Sequence, residues 1–304
     1  MINLKGTYIF KQGGIEIGRS ENLVTTNGTS AILKYLTNSS VEWASALAVG
    51  ALPTTPTVSD LTLAYEIARS SVTMKSYTPG SPNLIVIKGT LNSSVSANIY
   101  EIGLYPFNTS QTMGSRDQFI IDDFSNLNNW LISTTPLSSN ASYYNAYAPQ
   151  SPYSPRIGLY SAIIPANTTI INSTFAANLG SYTALDTVDL LVNVANGKSG
   201  ILNVTFTDVN GISATTLAYS FSYTGSYQVL SLNLPSNISS LSTINKITLT
   251  TVGTNSQITV DAIRVSVAAE ISNSVALVSR SVLTTPIAKI YGTPLDIEYY
   301  LQLS

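Results

Sequence analysis

Histidine and cysteine are both absent from the 304 residues, and this constrains the chemistry more than any motif does. Without imidazole or thiol there is no Ser-His triad, no thiolate nucleophile, no disulfide and none of the usual zinc ligand sets. Catalysis would have to rest on carboxylates, Lys or Tyr. The 16 acidic residues show no spacing that singles out an acid and base pair. The sequence therefore predicts a protein that is not an enzyme, and a glycosidase with paired carboxylates ranks last among its readings. Gly13-Gly14 and Gly103 are turn and packing glycines, since no Gly-rich loop leads into a helix with a Lys to cradle phosphate.

Tyrosine is plentiful, at 18 residues. Tyr143, Tyr144, Tyr147 and Tyr153 fall in the polar, proline-containing stretch 138–155, where strand burial does not require them. A tyrosine ring covers an apolar sugar face while its hydroxyl joins the hydrogen bonding, so the four form a candidate carbohydrate site. The competing reading is that they pack against their own domain or a neighbouring subunit. Tyr219, Tyr223 and Tyr227 carry the same ambiguity, the first two alternating within one strand candidate. Asn-x-Ser/Thr triplets such as Asn140-Ala141-Ser142, Asn167-Thr168-Thr169 and Asn203-Val204-Thr205 are expected by chance in a chain this rich in those residues and predict no glycosylation.

The elements that must hold these residues are mostly strands. Gly13-Gly14 lies between two arms of mixed β-branched and polar residues, a hairpin signal. Residues 26–29 read as the cap of a short helix over 31–36, with Ile32, Leu33 and Leu36 on one face. Strands are expected at 46–50, 83–91 and 98–105, and Ser59 or Asp60 is placed to cap a helical turn over 61–65. From Gly114 the texture changes. Short strand candidates follow at 168–175, 188–194, 201–207, 217–223, 227–232 and 244–250, with Asn196-Gly197 and Asn210-Gly211 placed as hairpin turns. Strand character of the first kind resumes only near residue 280, so one domain is expected to interrupt another.

Length suits two cores. Charged residues make up 10% of the chain and the net charge is −2, with no Lys/Arg run to mark nucleic acid or an anionic membrane as partners. No apolar run approaches the ~20 residues that span a bilayer, and the start has no charged then apolar leader, so a soluble chain is expected.

Two resemblances add to this. The order hairpin, Asn22-Leu23-Val24-Thr25-Thr26-Asn27-Gly28, short helix, Ala48-Val49-Gly50, Pro/Thr loop and Glu101-Ile102-Gly103-Leu104-Tyr105, with Leu283 to Gly292 leading into a last strand, resembles virion appendage proteins of tailed bacteriophages. Tail-fibre, collar and baseplate-associated subunits are the parallels, over roughly residues 1–110 and 275–304. The resemblance implies a homo-oligomer, other virion structural proteins as partners and location in the virion. Over about 115–270, Asp122-Asp123-Phe124 with Trp130, and the closing Val260-Asp261-Ala262-Ile263-Arg264-Val265, resemble carbohydrate-binding modules with a jelly-roll fold. That resemblance implies that first and last strands lie together. It also implies a structural calcium ion shared by Asp122, Asp123 and Asp261, and host-surface polysaccharide as a partner. The spacing of the three acids is not that of a calcium loop, and read by themselves they cap turns or pair with Arg116 or Arg264.

The resulting expectation is a mainly β protein. A small β-rich platform with one or two short helices, residues 1–113 and 273–304, is interrupted by a jelly-roll β-sandwich at 114–272. Its expected function is that of a phage virion subunit which oligomerises through the split domain and displays a glycan-binding module. A free carbohydrate-binding protein or accessory module is the alternative, and a head-fibre or capsid decoration protein is a further one. No cofactor is required beyond the implied calcium.

Overall fold

A computed structural model describes residues 4–39, 42–80, 83–106, 118–140, 143–145, 154–174, 176–266 and 277–303. Contacts divide the chain into Met1–Met113 with Ile271–Ser304, and Gly114–Glu270. Both units are built of strands.

The first unit opens with β1 (Leu4–Gln12) and β2 (Ile15–Glu21). Their turn is Gly13-Gly14, with φ of +57° and +81°, a region where any Cβ is disfavoured. A two-residue strand β3 (Leu23–Val24) leads into α1 (Thr26–Leu36). Thr25 caps it, its hydroxyl accepting from the Gly28 amide at 2.9 Å, so the helix starts earlier than the sequence suggests. A Cβ on Gly28 would fall 1.9 Å from the Val278 carbonyl oxygen. Only glycine lets the helix seat there. Of the expected apolar face, Ile32 is buried, while Leu33 and Leu36 are 52% and 68% exposed. Strands β4 (Ala46–Gly50), β5 (Glu66–Thr78), β6 (Asn83–Leu91) and β7 (Ala97–Tyr105) complete this part. Between β4 and β5 the chain forms no helix. Asp60 accepts from the Thr57 amide and hydroxyl while its own amide donates to the Thr57 carbonyl at 3.2 Å, closing a single turn over 57–60 that does not continue into a helix.

The second unit holds β8 (Gln118–Asp122), β9 (Trp130–Ile132), β10 (Thr135–Pro136), β11 (Tyr143–Asn145), β12 (Tyr160–Ile164), β13 (Thr169–Asn172), β14 (Thr187–Asn193), β15 (Ser199–Asp208), β16 (Ser213–Thr215), β17 (Tyr219–Ser222), β18 (Gln228–Asn233), β19 (Ile244–Val252) and β20 (Ile258–Ser266). One sheet runs β10-β9-β13-β19-β15-β16, with β17 also on β15. The other runs β11-β12-β20-β14-β18, with β8 also on β20. Between them lie Phe124, Trp130, Ile164, Leu190, Val192, Phe206, Leu249 and Ile263, all fully buried. The first and last strands of the unit, β8 and β20, are paired. Asn210-Gly211 does turn β15 into its partner β16, but Asn196-Gly197 carries the chain from one sheet to the other, β14 to β15, and is not a hairpin. A dipeptide fixes a turn, and the sheet that receives the next strand is fixed by where its apolar face can be buried.

The chain then returns with β21 (Ser279–Lys289) and β22 (Leu295–Leu303). β22 fits between β1 and β6, and β21 lies on β7. The stretch 15–24 crosses from β1 to β21, pairing with the first through β2 and the second through β3. This nearly closes the sheet into a barrel, with Ser20 and Ser281 hydroxyls 2.6 Å apart at the seam. Inside, the Tyr8 and Tyr299 rings lie 4.7 Å apart. Tyr8 Oη meets Ser279 Oγ at 2.6 Å, and Asn22 Nδ2 donates to Tyr299 Oη at 2.8 Å.

Candidate functional site

The site candidate in the second unit starts at the end of β8. Asp122 Oδ1 accepts from the Phe124 amide at 2.7 Å and turns the chain so sharply that Phe124 has a φ of +55°. Phe124 is thereby buried and stacks on Trp130 at 4.8 Å. Next, Asn126 Oδ1 accepts from the Asn128 amide at 3.1 Å and caps a 3-10 turn over Leu127–Asn129. The Asn128 side-chain oxygen accepts from Ser138 Oγ at 2.5 Å. Leu127 and Leu137 anchor this wall in the core.

The facing wall is aromatic. β11 pairs with β12 so that Tyr143 lies opposite Ala162 and Asn145 opposite Tyr160, and the Tyr143 and Tyr160 rings meet edge to face at 5.5 Å and 90°. Between the walls is a cavity of ≈ 210 Å³, lined by Tyr143, Tyr160, Leu127, Asn126, Asn128 and Ser138 together with Ser125. None of these carries a charge. The cavity offers rings to lie against, and amide and hydroxyl groups that both donate and accept.

Of the four predicted tyrosines, Tyr143 forms this wall and its neighbour Tyr144 is half-buried in the same strand. Tyr147 and Tyr153 lie outside the described residues. Tyr160, Asn126, Asn128 and Ser138 were not legible as site residues. The Asn-x-Asn of 126–128 is a recognisable Asx-turn signal, but nothing local connects it to Tyr160. Elsewhere, Tyr219 packs partly on the core, Tyr223 is exposed, and the buried Tyr227 donates to the Ser154 carbonyl at 3.2 Å.

The three predicted calcium ligands do not converge. Among the described residues no group of three or more acidic side chains is placed to hold a metal, and the physical reason is Asp122. Its Oδ1 is taken by the Phe124 amide and its Oδ2 by Asn172 Nδ2 at 2.8 Å; burial pushes its carboxyl up. Arg264, the alternative partner, binds Asp189 at 3.2 Å.

Asp123 and Asp261 remain as a pair. Asp261 is fully buried where a bulge in β20 sets Leu191 and Val192 against Ala262 and Val260. Its Oδ2 accepts the amides of Arg156 and Ile157 at 2.8 and 3.2 Å, and its Oδ1 has no hydrogen-bond partner among the described residues. Burial drives its carboxyl well above the ordinary range, and the charge of Asp123 adds to the rise. Gly158, with φ +65°, leaves open the space where a Cβ would stand 3.1 Å from the Asp123 carbonyl oxygen. An oxygen-seeking cation fits this reduced pair, not the trio. Calcium bound there would be held by Asp123 and Asp261 and would meet the orphaned Oδ1, adding to the positive charge that Arg156 already sets near it.

The outer face of the β11-β12-β20-β14-β18 sheet is covered. Leu191 and Ala262 are fully buried although they lie outside the sandwich core. The segment carrying Ser154, Arg156 and Ile157 is tied down over them by Asp261 and Tyr227, with the Arg156 guanidinium 4.8 Å above the Tyr227 ring.

No family model matches the chain, and no curated protein matches it. Solved structures similar to it include the family 11 carbohydrate-binding module from Clostridium thermocellum in complex with a β-1,3-1,4-mixed-linked tetrasaccharide, at 12% identity, covering 50% of this chain and 96% of that one with a TM-score of 0.31. Another is the CBM22-1–GH10 modules of a Clostridium thermocellum endo-1,4-β-D-xylanase complexed with xylohexaose, at 14% identity over 50% of this chain and 29% of that one, TM-score 0.31. A third is the enzymatically active domain of bacteriophage CBA120 tailspike protein 4, at 11% identity over 47% of this chain and 20% of that one, TM-score 0.27.

Proposed function

We propose that the inserted sandwich binds saccharide in the cleft between Tyr143 and Tyr160, and that the barrel is the assembly platform of a tailed-phage virion subunit displaying it. One observation supports the first half: two tyrosine rings at right angles face an uncharged wall of Asn and Ser side chains. A sugar presents C–H faces that lie on aromatic rings and hydroxyls that exchange hydrogen bonds with amides. Among the described residues no carboxylate lines the cleft, and we read it as binding host-surface polysaccharide without cleavage. A glycan array probed with the full chain tests it. Tyr143→Ala is expected to lower retained signal about tenfold or more, and an unchanged array would remove the cleft from consideration.

The virion half rests on the resemblance of the two barrel segments to phage appendage subunits. Closure of the barrel occupies the strand edges that open sheets use for pairing. Assembly into a homo-oligomer, or onto other virion structural proteins, would therefore bury side chains such as Leu33, Tyr35 and Leu36 on α1, all exposed in the single chain. Light scattering at native conditions should give a discrete multiple of the 32.4 kDa chain. A strict monomer absent from particles would favour the free carbohydrate-binding protein or accessory module, and recovery on capsids would favour a head-fibre or decoration role.

A further inference from the structure

We infer that the cleft takes a single neutral sugar ring end-on, as a terminal or branch residue, and does not bind along a polysaccharide chain; the inference rests on the saccharide-binding reading above. Three features carry it. The cavity of ≈ 210 Å³ lies below the roughly 300–1,000 Å³ that drug-sized ligands occupy. A volume of this order suits a ligand of about the size of one pyranose. Its walls are Tyr143, Tyr160, Asn126, Asn128 and Ser138, with no Lys or Arg among the described lining residues to pair the carboxylate of a uronic or sialic acid. That selects a neutral ring.

The third feature is that, among the described residues, neither sheet shows a row of rings on its outer face for a longer chain to lie on. One outer face is covered by the segment pinned to Asp261 and Tyr227. The other carries threonines whose hydroxyls already meet one another: Thr169 with Thr250 at 3.0 Å, and Thr205 with Thr215 at 2.8 Å. These pairs leave a polar face without stacking rings at those positions. A binder of extended chains needs several rings in a row. Here the rings converge on one opening.

A single ring limits affinity. With so few atoms in contact, a hexose is expected to bind with a Kd on the order of millimolar, so useful attachment would depend on several copies acting together.

The experiment is titration of the full chain, followed by NMR or calorimetry, with methyl glycosides of glucose, galactose, mannose and N-acetylglucosamine. Their di- to hexasaccharides, glucuronic acid and sialic acid complete the series. The expected result is that one neutral glycoside binds, that its oligomers bind within about twofold of it per chain end, and that the acidic sugars do not bind. Tyr143→Ala and Asn128→Ala each reduce binding at least tenfold, while Thr250→Ala on the threonine-bearing outer face leaves it unchanged. Affinity that climbs tenfold or more between mono- and tetrasaccharide, or a preference for the acidic sugars, overturns end-on neutral recognition while leaving saccharide binding intact. Silence from every probe overturns both.

Discussion

The barrel and the sandwich weight two answers to buried charge differently: the sandwich has a buried ion pair, Asp189 with Arg264 at 3.2 Å, but its other buried acids are held mainly by neutral donors. In the barrel, buried acids have cationic partners. Glu101 receives Arg280 Nη2 at 2.6 Å and the Tyr65 and Ala64 amides, while Arg280 also reaches Asp60 at 2.7 Å. Glu298 takes Lys11 and Lys88, each at 2.7 Å, and the Tyr300 hydroxyl. In the sandwich, Asp122 and Asp261 are served by backbone amides and an Asn, and one oxygen of Asp261 by nothing among the described residues. Paired charges fix strands at the cost of desolvation. Acids held by neutral donors remain responsive to protons and cations.

This contrast is sharpest if one partner is removed. Glu101→Ala leaves Arg280 with Asp60 as its remaining carboxylate partner and removes the acceptor of the Ala64 and Tyr65 amides, and is expected to destabilise the barrel by about 3 kcal/mol, leaving the sandwich untouched. The chain has two tryptophans, Trp43 and Trp130, both buried and one in each unit. Chemical unfolding of Trp130→Phe therefore reports the barrel and that of Trp43→Phe the sandwich. Equal shifts in both would mean that the units unfold as one body.

Acid should act next on each unit through identifiable groups. Asp208 in the sandwich, where burial is outweighed by Ser242 and neighbouring amides that hold the carboxyl at about 2, and Glu101 in the barrel, raised by burial, contribute with signs opposite to those of Asp261 and Glu298 respectively. Burial would raise the Glu298 carboxyl, but Lys11, Lys88 and the Tyr300 hydroxyl outweigh it and hold it at about 2. Its contribution is full above the ordinary glutamate value of about 4.3 and is lost as pH falls from there toward about 2. Asp261 is shifted upward, so the fold is penalised while that group is ionised, and the sandwich gains stability as pH falls through the raised value toward ~3.9. Thermal melts against pH should lose part of the acid sensitivity of the barrel in Glu298→Gln and the acid gain that Asp261 gives the sandwich in Asp261→Asn. Calcium should raise the sandwich melt of the parent chain and not that of Asp261→Asn; an identical response in both would remove Asp261 from any cation site.

Smaller effects sharpen the picture further. Gly158→Ala places a Cβ 3.0 Å from Ser125 Oγ at φ +65° and should cost the sandwich roughly 1–2 kcal/mol. Leu33→Ser on the exposed face of α1 should change chain stability by less than about 0.5 kcal/mol. If α1 is an assembly surface, the same change lowers the native mass; an unaltered mass would direct attention to other exposed side chains.

Much of this was readable in local sequence. Gly13-Gly14 announced the first hairpin, the change of texture at Gly114 marked the second unit, and the apolar alternation of residues such as Val188, Leu190 and Val192 marked core strands. What was hidden depends on distant partners. Barrel closure needs residues 15–24 to pair on both sides at once, and no window of sequence contains both β1 and β21. The helix looked more apolar than it is buried, because Gly28 and Ile32 alone suffice to seat it. In the cleft, Tyr143 was visible as an aromatic in polar surroundings, but Tyr160 reads as an ordinary strand residue until β11 is laid beside it. Asp122 and Asp123 look equivalent in sequence. The turn at Phe124 gives one to the core and leaves the other near Asp261.

The place of β21 and β22 in the barrel also sets an order of events during synthesis. β1 to β7 emerge first, yet the β1-β2 hairpin is joined to β6-β5-β4-β7 only through β22, which arrives after the whole insertion has been made. The sandwich, by contrast, holds all its strands in one continuous stretch and can complete itself on the ribosome while its host waits. The host is then exposed to wrong partners for the time the insertion takes to appear, including the unfinished sheet of a neighbouring nascent chain. A fast-folding insertion would shorten that interval, so changes that slow the sandwich should lower the yield of correctly closed barrels even where they leave the finished barrel's stability unchanged.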